Sequence, residues 1–563
     1  MKLRAKFLVP AAFMVAIFSI TIGAQQQKIY WADEVPKGWN GKWPAKFLTV
    51  PEKTGYTRTT STLDLQEFVD VLKWNSENVN VVNVFTSPLR KVAPAIVLAN
   101  PRVTSPQEAL KSGKPVMFIE GNIHPAEPEG TEAILMAMRE ILFGPRKQLL
   151  DNQIVIFLPI FNVDGTDTFT TQDGTPHIVG QRTNAAGLDL NRDAVKLESI
   201  EANGLYQALL NRWDPVLLVD LHLMGRVNHG YANTYATCTM PTAHPAPRGY
   251  VWDQLFPAVR ASVRRDFGLE TFTHCLFDET RWPPTDWSHD RAIWSNEAKF
   301  IVNDYGLRNR MAIITETPGH PAFERRIYAQ YAYVLSLLEF TNTHGKEMQK
   351  ICKDADEETV AKVKAQAESW ELKNWIAGKY ESWGKIDILA YRTNPTVFLP
   401  GTSVRSTAPG SAGAPPEIVH DVEHLTKPVG TREAVMPRGY LIPAELQELA
   451  TKLRAHNIRI QTLDKPMKAL GEEFVADRML KPRPGNMTTL EGGFFGPSTR
   501  EFPAGTYFVD LAQPMANAAF YYLEPQSADG FVGWGVLDNT LRSLGIEQHP
   551  VVYPIFKFRK EVK

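Results

Sequence analysis

The chain has 563 residues, 44% of them hydrophobic and 22% charged, a balance that excludes a fibrous or wholly disordered protein and allows a large core. Its 61 Lys and Arg stand against 62 Asp and Glu, so no global field draws it to nucleic acid or to an anionic membrane, and a partner must be recognised by a local site. Three cysteines are too few for a disulfide-built scaffold, although Cys238 and Cys275 remain a candidate bridge.

Lys2, Arg4 and Lys6 precede an apolar stretch from Phe7 to Ile22 and then Gly23-Ala24-Gln25, the three-part pattern of a secretory signal peptide cleaved after Ala24. The stretch is interrupted by Pro10 and Ser19 and is short for a bilayer, so an exported protein with no stable membrane insertion after cleavage is expected. Four apolar runs follow, Val116 to Ile119, Ile154 to Leu158, Val216 to Val219 and Met311 to Ile314, each with the composition of a strand buried on both faces. Ile134, Leu135, Met138, Ile141 and Leu142 form a helical face ending at Gly144-Pro145, and a second helix fits Ile200 to Trp213. This alternation predicts an α/β fold, an open mixed sheet with helices on both faces.

Just past the carboxyl ends of those runs come His124 and Glu127, then Asp164, then His222, then Glu316. Open α/β sheets form their sites there, so separate segments deliver two imidazoles and two carboxylates to one edge. His124 and Glu127, three positions apart, can share one cation, and His222 completes a His2Glu set with one open position, the donor set of a single Zn2+. Asp220, two residues before His222, is placed to orient it, or else bonds a neighbouring backbone group. Glu129 is the competing carboxylate, read as a helix N-terminal acid.

The segments Gly121 to Glu127, Phe161 to Gly165, Gly187 to Arg192, Leu221-His222 and Ile314 to Gly319 resemble, in order, the motifs of the carboxypeptidase A-like family of zinc metallocarboxypeptidases, in particular its exported bacterial members. The resemblance covers about residues 45 to 345. It implies that His124, Glu127 and His222 are zinc ligands and Glu316 the general base for a zinc-activated water. It also implies that Arg182 stabilises the oxyanion, and that Asn191 and Arg192 hold the terminal carboxylate of a peptide substrate. In this sequence Val163 replaces a turn proline. Asp193 stands where another Asn is usual and puts a negative charge beside Arg192. The flap tyrosine has no clear counterpart: Tyr305 occupies the place of a different tyrosine, and Trp294 stands near the flap position.

The expected organisation is a signal peptide (1–24), a catalytic domain (25–350), a linker helix and Pro/Gly-rich loop region (351–430) and a smaller C-terminal accessory α/β domain (431–563). Within these lie a Trp-rich lead-in at 25–45, a connecting helix from Asp356 to Trp375 and a loop from Asn394 to Pro416. The accessory domain is expected to hold a β-α-β unit, with strands at Tyr440 to Ile442 and Ile458 to Ile460 around a helical stripe at Leu446, Leu449, Ala450 and Leu453, and a strand from Gly505 to Val509. The resulting expectation is a periplasmic or extracellular zinc carboxypeptidase. The alternatives are a zinc amidase or deacylase acting on cell-wall peptides or N-acyl amino acids, and an inactive binding protein on the same fold. Oligomeric state and side-chain preference are not legible.

Overall fold

The β-branched runs become strands because the sheet they form is covered on both faces. Ile154, Val155, Ile156, Phe157 and Leu158 are all fully buried, as a central strand requires. The computed structural model describes residues 28–167, 180–225, 227–292, 294–392, 415–481 and 487–563. The expected signal peptide and most of the 394–416 loop lie outside the described residues.

In chain order the first nine strands are β1 (Val79–Thr86), β2 (Val92–Leu98), β3 (Val116–Gly121), β4 (Ile154–Leu158), β5 (Leu217–Met224), β6 (Asn233–Thr237), β7 (Thr271–Thr273), β8 (Asp286–Ser288) and β9 (Met311–Pro318). Eight of them form one mixed sheet in the order β1-β2-β4-β3-β5-β9-β6-β7. Its centre, β4-β3-β5-β9, is parallel. The helix Glu129–Phe143 packs against the helix Phe323–Gln366 and against this centre. The lead-in is tied to these helices: Trp39 donates to Glu324, and the buried Arg139 donates to Glu52 and to the carbonyl oxygens of Asn40 and Phe47.

Two expectations about the later chain are corrected. The helix thought to begin at Asp356 is the end of a 44-residue helix, Phe323–Gln366. The stretch read as linker and loop is largely strand: β10 (Lys373–Ala390) and β11 (Glu417–Val435) make a long antiparallel ribbon. β11 also pairs in parallel with β8, and the Ile376 carbonyl of β10 accepts from Ala528, so the ribbon touches both halves of the molecule. Few of its residues are buried, Ile376, Tyr380, Ile388 and Ala390 among them, which is why its polar composition resembles a linker.

Beyond the ribbon lie β12 (Gly439–Ile442), β13 (Gln461–Thr462), β14 (Met467–Leu480), β15 (Thr489–Phe502), β16 (Tyr507–Asp510), β17 (Val551–Val552) and β18 (Phe556–Glu561), which form a separate seven-stranded sheet. β12 and β13 flank β16, and the helix Gln447–Ala455 joins them. The second strand of the expected β-α-β unit therefore starts at Gln461 rather than Ile458. Cys238 and Cys275 do not form the candidate bridge; all three cysteines are free and buried.

Candidate metal centre and cleft

Strand β3 ends in a backbone turn that aims the next residues across the sheet edge. Asn122 adopts φ 60°, a left-handed conformation that Asn tolerates better than most residues, and its side chain accepts from the Thr166 hydroxyl. Gly130, in the first turn of the following helix, lies so close to β5 that a Cβ there would stand 2.8 Å from that of Leu221. This approach brings Glu127 to His222.

His124, Glu127 and His222 converge, with one donor atom from each within 4.8 Å of the others, and all three are buried. His124 Nδ1 stands 3.0 Å from Glu127 Oε1, and His222 Nδ1 stands 2.8 Å from Glu127 Oε2. The opposite ring nitrogens are held by other carboxylates: His124 Nε2 donates to Asp189 (3.1 Å) and His222 Nε2 to Asp220 (2.6 Å). A carboxylate on the Nε2 side of each imidazole suits the tautomer in which Nδ1 offers its lone pair to a metal, the arrangement found around metal-ligating histidines. Two imidazole nitrogens and a carboxylate suit zinc and leave a coordination position open. Burial opposes ionisation of Glu127, but the flanking imidazoles hold its carboxyl well below the usual range.

Glu316 faces this group through sheet register, since it pairs directly with His222 across β5 and β9. Burial pushes its carboxyl up to about 8, and its Oε2 has no hydrogen-bond partner among the described residues. These side chains share a cavity of about 340 Å³ with Arg182, Asn191, Arg192, Trp294 and Phe300.

Arg182 is tied to Asp189 through Nε (3.1 Å) and Nη2 (3.0 Å), and its Nη1 lies 3.5 Å from Glu127. Asn191 sits beside His222, with Nδ2 3.3 Å from His222 Nε2. Arg192 donates to the Asn191 carbonyl and stacks on Phe300 at 4.4 Å; it makes no ion pair among the described residues. The Asp193 carboxylate, which threatened this arginine in the sequence, turns away to accept the backbone N–H groups of Glu198 and Ser199. Glu129 begins the helix as expected and pairs with Arg326. Tyr305 lies outside the cavity, its hydroxyl donating to Pro215, whereas Trp294 forms part of the wall.

Two acids were missed, one half-buried and one fully buried. Asp189 lies inside a quoted motif, two residues before Asn191, and that proximity was the signal available. Glu120 pairs in register with Asp220; burial, reinforced by Asp220, pushes its carboxyl well above the ordinary range. A carboxylate within a solid strand run carries no local signal of this kind.

Residues 97–214 match the family model described as zinc carboxypeptidase. The matched segment is about a fifth of the chain. The chain is similar to Carboxypeptidase 2 of Trichophyton equinum, 23% identical over 479 residues that cover 80% of this chain and 78% of that protein. It is also similar to human Carboxypeptidase D, 30% identical over 166 residues, 28% of this chain and 11% of that protein. Among solved structures, a metallo-carboxypeptidase from Burkholderia cenocepacia aligns with a TM-score of 0.37 at 16% identity, over 50% of this chain and 69% of that one. The segment matched by the family model contains His124, Glu127, Arg182, Asn191 and Arg192, and β5 and β9 add His222 and Glu316 from beyond it.

Proposed function

We propose that the protein is an exported zinc metallocarboxypeptidase that removes residues from the carboxyl end of peptides. The observation that carries this reading is the position of Arg192: a guanidinium without a carboxylate partner among the described residues, in the same cavity as the His124–Glu127–His222 group and Glu316. A fork-shaped cation suits a free terminal carboxylate, which accepts two charge-assisted bonds.

His124, Glu127 and His222 hold the zinc in this reading, and Asp189 and Asp220 hold the two imidazoles. Bound zinc supplies Lewis acidity, lowering the pKa of a water and polarising the scissile carbonyl. Glu316 takes the proton from the attacking water as the new C–O bond forms. It returns that proton to the amine nitrogen as the C–N bond breaks. Arg182, anchored by Asp189, faces the developing oxyanion. Arg192, supported by Phe300 and Asn191, binds the terminal carboxylate and so selects the last peptide bond.

Two peptides of one sequence, one with a free and one with an amidated carboxyl end, test this reading when digested and read by mass. The free peptide is expected to be cut about a hundredfold faster, one residue at a time. Equal cutting of both would move the reading to an amidase or endopeptidase. No helix of the described residues is long and apolar enough to cross a membrane, which is compatible with export once the leader is removed.

A further inference from the structure

The wall opposite the metal group, residues 289–292 and 294–300, has little regular structure of its own, and elements from the second half of the chain hold it at both ends. At its start, β11 pairs Glu423, His424 and Leu425 with Asp286, Trp287 and Ser288, and His289 donates to the Leu425 carbonyl at 3.3 Å. At its end, the fully buried carboxylate of Asp529 accepts two successive backbone N–H groups, Ala298 at 3.0 Å and Lys299 at 2.7 Å, and the hydroxyl of Tyr521 at 2.5 Å. Between these ends Asn303 donates to the carbonyl oxygens of Ser295 and Glu297, both at 2.9 Å.

We infer that Asp529 is a positioning residue for substrate selection: through it the C-terminal domain holds residues 294–300, and with them the Trp294 and Phe300 rings that meet the side chain of the substrate's last residue. The inference rests on the carboxypeptidase reading above. A last residue whose carboxylate is held by Arg192 carries its side chain one carbon away, so that side chain must lie against the groups flanking Arg192. Those groups are Phe300, on which the guanidinium stacks at 4.4 Å, and Trp294, which packs on Phe300 at 4.8 Å. Ala298 and Lys299, the residues held by Asp529, immediately precede Phe300. Leu276 and Ala292 extend the apolar lining, and the cavity's carboxylates are Glu127 and Glu316, both engaged in the chemistry. Among the described residues that line the cavity no further acid stands ready to pair with a terminal Lys or Arg, so the substrate class is peptides ending in an apolar or aromatic residue.

The test uses the full-length zinc-loaded protein and three peptides differing only in a final Phe, Ala or Lys. The unmodified protein is expected to favour Phe over Lys at least tenfold in kcat/KM. In Asp529→Ala the preference for Phe over Ala should shrink about tenfold through KM, with kcat within about threefold and zinc content unchanged. Asp529→Asn, which keeps one carbonyl acceptor, should fall between and serves as the reading if the alanine variant does not fold. Tyr521→Phe leaves the carboxylate in place and should change the ratio less than threefold. An unchanged Phe to Ala ratio in a folded, zinc-loaded Asp529 variant, or a loss confined to kcat, would overturn the inference. A protein that favours terminal Lys would overturn the assigned substrate class. Failure of the unmodified protein to shorten any of the three peptides would instead overturn the carboxypeptidase reading, and this inference with it.

Discussion

On one side of the cleft, β3, β5 and β9 place reactive groups by register: Glu316 lies opposite His222, and Glu120 opposite Asp220. On the other side, residues 289–292 and 294–300 depend on β11, on Asn303 and on Asp529 for their shape. A strand edge inside a fully covered sheet cannot shift without breaking its ladder, so it suits chemistry that tolerates little displacement. A loop held by distant hydrogen bonds can vary without disturbing that edge, which suits selection among substrates.

The contrast breaks most readily at Glu316. Glu316→Gln keeps the shape but cannot accept and relay a proton, so zinc content should persist while kcat falls about 10²- to 10⁴-fold. Turnover within about threefold of the unmodified protein would assign the base elsewhere, with Glu129 the next candidate. Arg192→Ala probes the point where the two sides meet. It should erase most of the preference for a free over an amidated carboxyl end, about a hundredfold, in the digest described above. Asp220→Asn sharpens the account of the strand side, since it retains packing but weakens the hold on His222; zinc affinity measured by chelator competition should fall about 10- to 100-fold.

The smallest effect concerns the support behind the loop side. Asp304, on the helix Ile301–Leu307, accepts hydrogen bonds from Tyr206 and from Tyr522 of the C-terminal domain. Burial pushes its carboxyl up to about 7, against about 3.9 in an unfolded chain. The folded form therefore retains a proton that the unfolded form loses, and this group's contribution to stability is full below about pH 4 and declines as pH rises through about 7. Denaturant unfolding of Asp304→Asn at pH 4.5 and pH 7.5 should show the variant improving relative to the unmodified protein at the higher pH. A difference independent of pH would contradict the assignment.

The strand side was legible in the sequence because each part of it is local. The four apolar runs are dense enough to mark buried strands, and His124, Glu127, His222 and Glu316 follow them closely. The loop side depends on tertiary pairing that leaves no local trace. Nothing around Asp529 indicates that its carboxylate reaches Ala298, a residue 231 positions away. The alternation along β10 is too weakly buried to stand out from a polar linker, and the long helix hides its length because Gly345, a residue that ordinarily marks a helix end, lies at its middle. The role of Asp193 was misjudged for a related reason: its neighbour in sequence is Arg192, but its partners in space are backbone amides.

The central claim is that the strand side holds one zinc on which turnover depends. Metal content by elemental analysis, measured on the same preparations used for peptide digestion, tests it most directly for the unmodified protein and for His222→Ala. The account predicts one zinc per chain and carboxypeptidase activity in the first, and loss of both in the second. Full zinc occupancy in His222→Ala would contradict it.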